Sequence, residues 1–331
     1  MSNKAEVNVI CVGGCGINVG VALKANSKTE VLRDAYFIGL DASNANSSNG
    51  LFEVEYMTTA GSQATMARGS GKKRSANYDQ AEEFTDKVMA KHKPADVNII
   101  IGSTSGGSGS MLTTMVIRSL AKKGIPFVVC FVSDFTSIVE RANAINTLRS
   151  TVAQTNPKVL GVPVPFIHFT NQADVTRGKM NDQIVDRLNL LSLFLTEHNE
   201  EADYEDIKNL LTYSKHYDVA PAFSQIHFYD EEAARAYSGD TPVGVYSLFE
   251  DKNSFIPRFA GTVIRTTGVF GKNTTKPADI KELHMTLDHG QYLEDLAQHI
   301  DELNEVKKEA KSTYAHKSID IEDTDDNGVF M

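Results

Sequence analysis

Five short runs in the first half of the chain are apolar at nearly every position rather than at every second one: Val7–Val12, Ala35–Leu40, Val97–Ile101, Phe127–Val132 and Val164–Phe169. Unbroken hydrophobicity of this length marks strands covered on both faces, as in a parallel sheet. Helix-like stretches lie between the runs, Leu112–Lys122 among them. The pattern therefore predicts an α/β fold with a doubly wound parallel sheet. Each run ends in small or polar residues: Gly13-Gly14-Cys15-Gly16, Asp41, Gly102 to Ser110, Ser133-Asp134 and Thr170-Asn171. Ligands of such sheets bind at the carboxyl ends of the strands, so these turns together form the candidate site.

The second half has a different rhythm. Gly178–His198 reads as a long helix whose later turns are apolar almost all round, which predicts burial between larger bodies. Ser224–Tyr229, Val243–Phe249 and Thr262–Phe270 read as strands of a smaller α/β unit. Gln291–His316 is a long C-terminal helix with apolar residues at three- and four-residue steps, interrupted by Lys307. That seam suits a helix lying on its own domain better than a coiled coil. The division expected is a ligand-binding domain over 1–177, the central helix and the loop after it over 178–217, a C-terminal domain over 218–290, the long helix over 291–317, and a tail over 318–331.

Charge narrows the partners. The chain of 331 residues carries a formal net charge of −10, and Asp320, Glu322, Asp323, Asp325 and Asp326 crowd the tail before Val329-Phe330-Met331. An acidic chain lacks the basic face that nucleic-acid binding needs, so no direct nucleic-acid partner is expected. An anionic ligand would have to be held by backbone N–H groups and a metal ion. Three cysteines without paired spacing suit a reducing cytosol, and the longest apolar run, Phe127–Val132, is too short for a bilayer. The expectation is a soluble, cytoplasmic protein with no membrane partner. The nine histidines show no metal-ligand spacing, so no metal site built from side chains is expected.

Gly13-Gly14-Cys15-Gly16-Ile17-Asn18 follows a strand and opens a helix, where glycines let backbone N–H groups approach a phosphate. Gly14, Gly16 and Gly20, with Asp41 beyond the next strand, also approximate a dinucleotide fingerprint, which keeps a nicotinamide-dependent oxidoreductase open as an alternative. A second glycine loop, Ser105-Gly106-Gly107-Ser108-Gly109-Ser110-Met111, separates the readings. One loop serves a dinucleotide; two from different strands suit a polyphosphate gripped from two sides. A flexible linker is the plainer alternative, weakened because both flanks are strongly patterned. No Gly-x-x-x-x-Gly-Lys-[Ser/Thr] occurs, which excludes a P-loop.

This second loop resembles the signature of the tubulin and FtsZ superfamily, usually Gly-Gly-Gly-Thr-Gly-Ser-Gly, with Ser108 in place of Thr and Met111 in place of the last Gly. The other loops fall in family order over roughly 7–210. The short chain and the acidic, apolar-tipped tail are most similar to phage-encoded tubulin-like proteins of the PhuZ type. The resemblance implies GTP/GDP with Mg²⁺ as ligands. Gly13, Gly14, Cys15, Gly16 and Asn18 match the first nucleotide loop, Asp41 the second, and Gly71 and Lys72, within Gly69–Arg74, the third. Gly106, Gly107, Ser108, Gly109 and Ser110 match the signature loop, Asp134 the fifth, and Glu140 the ribose contact. Asn171 and Asn181 match the base-reading positions, whose plain readings are a turn residue and a helix cap. Arg177 stands where an aromatic often stacks on guanine.

Asp203 and Asp206, three residues apart at a helix start, are the carboxylates available for catalysis. First-turn acids also cap N–H groups and suit the dipole, so cap and catalyst stand level on sequence alone. The family has its acids at this spacing and brings them to the next subunit's nucleotide, though Glu201 replaces the usual asparagine here. The resemblance thus implies a head-to-tail homopolymer that hydrolyses GTP between subunits, with the tail docked on a neighbour. It also implies filaments that position phage DNA or particles in the host bacterial cytoplasm. A nucleotide-binding structural filament without turnover is the further alternative.

Overall fold

The structure is a computed structural model that describes residues 6–57, 78–171, 174–195, 202–249, 261–269, 280–288, 292–298, 301–302 and 305. The five apolar runs are strands: β1 (Val7–Val12), β2 (Tyr36–Asp41), β4 (Val97–Ser103), β5 (Phe127–Ser133) and β6 (Val164–Thr170). Between β2 and β4 stands β3 (Glu53–Tyr56), too short and too polar to read from the pattern. The later strands are β7 (Phe223–Asp230), β8 (Gly244–Phe249), β9 (Ile264–Val269) and β10 (Ile280–Asp288). The helices are α1 (Gly13–Ala25), α2 (Glu30–Asp34), α3 (Tyr78–Lys91), α4 (Ser108–Lys122), α5 (Ile138–Val152), α6 (Arg177–Leu193), α7 (Tyr204–Leu211) and α8 (Glu231–Ala236). Residues 292–298 are helical within the long helix expected there. The described residues of the tail region end at 305, so the expected tail, like Gly71 and Lys72, lies outside them.

All ten strands join one sheet in the order β3-β2-β1-β4-β5-β6-β7-β10-β8-β9. From β3 through β7 every neighbour is parallel, whereas β10 runs antiparallel to both β7 and β8. The first strands are buried on both faces because each face carries its own helical layer. Val9, Cys11, Ile99, Ile101, Cys130 and Ile167 meet α1, α2, α6 and α7 on one side. Ile10, Val12, Ile100, Val129, Phe131 and Phe166 meet α3, α4 and α5 on the other, joined by Tyr292 and Leu293.

The two halves of the chain are stitched at β6 and β7, which pair over Val164–Phe223, Pro165–Ser224 and Phe166–Gln225. The rings of Phe166 and Phe223 stack at that seam, 3.7 Å between centroids and 10° from parallel. The later turns of the central helix α6, Leu188–Leu193, are buried as their composition requires, and the helix ends at Leu193. Its polar core residues are satisfied: Asn189 Oδ1 accepts the Lys28 N–H at 2.7 Å, and the Ser192 and Thr29 hydroxyls lie 2.7 Å apart.

The outer strand β3 is polar. Glu53 and Glu55 both bind the Lys91 ammonium, and Glu55 also meets His92 Nε2 at 3.0 Å. Tyr36 Oη meets His92 Nδ1 at 2.7 Å.

Phe223 is 1% exposed, so Phe223→Ala should cost about 3–5 kcal/mol. Urea unfolding followed by circular dichroism measures this; a loss under about 1 kcal/mol would mean that the seam contributes little.

Candidate functional site

The site begins with two helix starts that lack what five other described helices have. Thr29, Ser137, Thr176, Asp203 and Asp230 each cap a helix by accepting a backbone N–H through the side chain. At α1 the N-cap is Val12 and at α4 it is Gly107; neither makes a side-chain cap, and neither helix has an acid in its first turn. The first N–H groups of a helix have no partner inside it, and the dipole adds positive potential there. Two such ends side by side make an anion site.

Glycine lets them meet. Gly13 has φ +68°, and a Cβ there would stand 2.6 Å from Gly109 Cα. The backbones of the first and signature loops are therefore in contact, with no side chain between them. A Cβ at Gly14 would meet the Asn46 amide at 2.6 Å. Gly16, Gly106, Gly107, Gly109 and Ser110 line the same two turns, all buried except Gly106, and the Ser110 hydroxyl donates to Gly107 O at 3.0 Å.

Asp41, 1% exposed at the end of β2, ties the turns together. Its carboxylate accepts from Ala42 N at 2.7 Å, Asn46 Nδ2 at 2.8 Å and Ser108 Oγ at 3.0 Å. It thus links the second loop to the signature loop. Asn46 carries no mark in the sequence, since its role depends on how the loop after β2 folds back.

The first half of the signature loop is fixed from below. Thr104 Oγ1 and Ser133 Oγ lie 2.5 Å apart, and Ser133 Oγ meets His168 Nε2 at 2.6 Å. Thr147 Oγ1 donates to Thr104 O at 3.0 Å, and Asn143 Nδ2 to Ser105 O at 3.1 Å. Asp134 N donates to Ser105 Oγ at 2.7 Å, and Asn171 Nδ2 reaches Asp134 Oδ2 at 3.3 Å. Sequence reading found Asp134 and Asn171 but not Asn143, Thr147 or His168, which only the packing of α5 and β6 against the loop brings in. Burial pushes the His168 imidazole down to about 4, so it is neutral at pH 7.

Cys15 faces the same region, in the fields of Arg177 and Asp134, and burial pushes its thiol up to about 11. It is a packing residue rather than a nucleophile. Glu140 Oε2 accepts from the Thr136 and Ser137 hydroxyls at 3.0 and 2.7 Å. Asn18 is exposed on α1, and Asn181 is half-buried near the start of α6, where Thr176 is the cap.

Asp203 and Asp206 lie elsewhere. Asp203 is the N-cap of α7, accepting from Glu205 N and Asp206 N, while Asp206 Oδ2 accepts from Asp203 N at 3.0 Å. The pair forms a reciprocal capping box. Tyr204, next to it, lies in the field of Asp96, which precedes β4. Lys215, just past α7, donates to Gly124 O ahead of β5. The acids therefore stand at the amino end of the strands, and the glycine loops at the carboxyl end. β4 spans seven residues between the two, roughly 20 Å at 3.3 Å per residue.

Residues 6–160 match the model described as Tubulin/FtsZ family, GTPase domain. Over those residues the chain is similar to that family. Among known proteins it is similar to a phage tubulin-like protein of Pseudomonas phage phiKZ, 23% identical over 327 residues, which cover 98% of this chain and 97% of that protein. Two solved folds agree: a protofilament of TubZ from bacteriophage PhiKZ, with TM-score 0.76 and 22% identity over 93% of both chains, and the phage tubulin PhuZ with GDP, with TM-score 0.77 and 19% identity over 92% of this chain and 93% of that one. Among the described residues no helix is long and apolar enough to cross a membrane.

Because His168 stays neutral in the fold to about pH 4 but protonates near 6.5 once unfolded, stability is lost as pH falls between those values. Urea unfolding at several pH values should give a shallower slope for His168→Gln than for wild type; equal slopes would exclude this contribution.

Proposed function

We propose that this chain binds GTP with Mg²⁺ across the α1 and α4 starts, polymerises head to tail, and hydrolyses GTP where one subunit meets the next. The observation that carries the proposal is the separation of the two half-sites. Backbone donors for phosphates lie at one end of the parallel sheet and the paired carboxylates at the other, roughly 20 Å apart along β4. Acids that distant cannot polarise water on their own subunit's nucleotide, but stacking copies end to end brings one half-site to the other. Such a heterologous contact repeats without closing and gives a filament. The relative solved as a protofilament supports this reading.

The chemistry asks for little more. Phosphoryl transfer depends on position and charge, so a site divided between subunits stays silent until assembly. Mg²⁺ takes oxygen ligands, which the Ser108 hydroxyl and Asp41 carboxylate offer. That carboxylate already accepts three hydrogen bonds, so phosphate and water oxygens would have to supply most of the ion's ligands. A phage filament of this kind serves to position phage DNA or particles in the host cytoplasm, and the acidic tail bridges neighbouring subunits.

The capping box favours a second reading, in which Asp203 and Asp206 serve only α7 and the filament does not turn nucleotide over. One double variant separates the two. Asp203→Ser with Asp206→Gln keeps a Ser-x-x-Gln capping box and removes both carboxylates. If the acids are catalytic, GTP still drives assembly by light scattering, the melting temperature holds, and phosphate release falls at least tenfold. Release at the wild-type rate would leave the acids with capping alone. Deleting 319–331 should raise the critical concentration for assembly severalfold; an unchanged value would remove the tail from the contact.

A further inference from the structure

Asn171 closes β6, and its orientation is not free. Its N–H donates to Ser133 O at 2.8 Å, and its Nδ2 donates to Asp134 Oδ2 at 3.3 Å. Asp134 is itself held at three atoms. Its Oδ1 accepts from Thr136 N at 2.9 Å, its Oδ2 from Asn171, and its N–H donates to Ser105 Oγ at 2.7 Å. A carboxylate accepts and never donates, so only the NH₂ end of an asparagine amide can face it. The carbonyl oxygen of Asn171 is thereby turned to the other side.

Position gives that orientation a meaning. β6 lies two strands beyond β4 in the sheet, and strands are about 4.8 Å apart. The end of β6 is therefore about 10 Å from the signature loop, which suits the reach from phosphate across ribose to base. Cys15 in the first loop lies in the field of Asp134, so the carboxylate also borders the phosphate end.

Guanine presents N1–H and an N2 amino group, both donors. Adenine presents a bare N1, an acceptor. An amide free to turn can offer either end and serve both bases. An amide locked with its oxygen outward accepts from guanine, and sets acceptor against acceptor with adenine. Sites built to match a hydrogen-bonding edge discriminate strongly, because the wrong partner leaves buried polar groups unpaired.

We propose that Asp134 is a specificity-determining positioning residue, which locks the Asn171 amide with its carbonyl toward the base and so selects guanine over adenine nucleotides. This rests on the GTP reading above. Through Ser105, the same residue ties the base-reading amide to the phosphate loop, so base and phosphate are held in one register.

Titration of fluorescent GDP and ADP analogues onto the full chain tests the proposal, with diphosphates chosen so that assembly adds nothing. Wild type should prefer the guanine analogue by at least a hundredfold. Asp134→Ala and the shape-preserving Asp134→Asn, which can itself turn, should each cut that ratio at least tenfold. A merely structural Asp134 would weaken both analogues alike and leave the ratio unchanged, which overturns the proposal even if affinity drops. Failure of wild type to bind the guanine analogue at all would instead overturn the GTP reading itself.

Discussion

Everything in the site follows from unsatisfied backbone donors. α1 and α4 begin without caps, against the practice of the other capped helices in the chain, and they begin beside each other. A helix end without a partner is costly unless something outside supplies one. An anion bound there would supply one, and Gly13, where a Cβ would stand 2.6 Å from Gly109 Cα, lets the two backbones come together. Asp41 and Asp134 lie beside these turns, and their hydrogen bonds to the loops hold the turns in shape.

The parallel sheet turns that local constraint into polarity. Every strand from β3 through β7 points the same way, so donors gather at one pole and the α7 acids are left at the other. A molecule so divided has two unlike ends. Nothing comparable arises in an antiparallel sheet, where loops of one kind alternate between poles.

Much of this was readable in the chain. The five buried strands came from unbroken apolar runs, and the two glycine turns from glycines after strands. β3 was not, because Glu-Val-Glu-Tyr is a four-residue edge with no fully buried residue; nor was β10, whose polar residues hide an antiparallel pairing with β7. The continuity of the sheet across β6 and β7 depends on a three-residue register that no local pattern encodes. In the site, residues that donate from their own turn were found, whereas those acting from another element, Asn46, Asn143, Thr147 and His168, were not. Asp203 and Asp206 are the sharpest case: their three-residue spacing suits both cap and catalyst, and in the fold the pair forms the capping box of α7.

The charged rim at β3 bears on how copies meet. A bare strand edge invites indiscriminate pairing between molecules. Here that border is only four residues long, and Glu53 and Glu55 are clamped by Lys91 and His92. Sideways sheet extension through that border is thereby discouraged, so a neighbouring molecule gains little by pairing its own strands there.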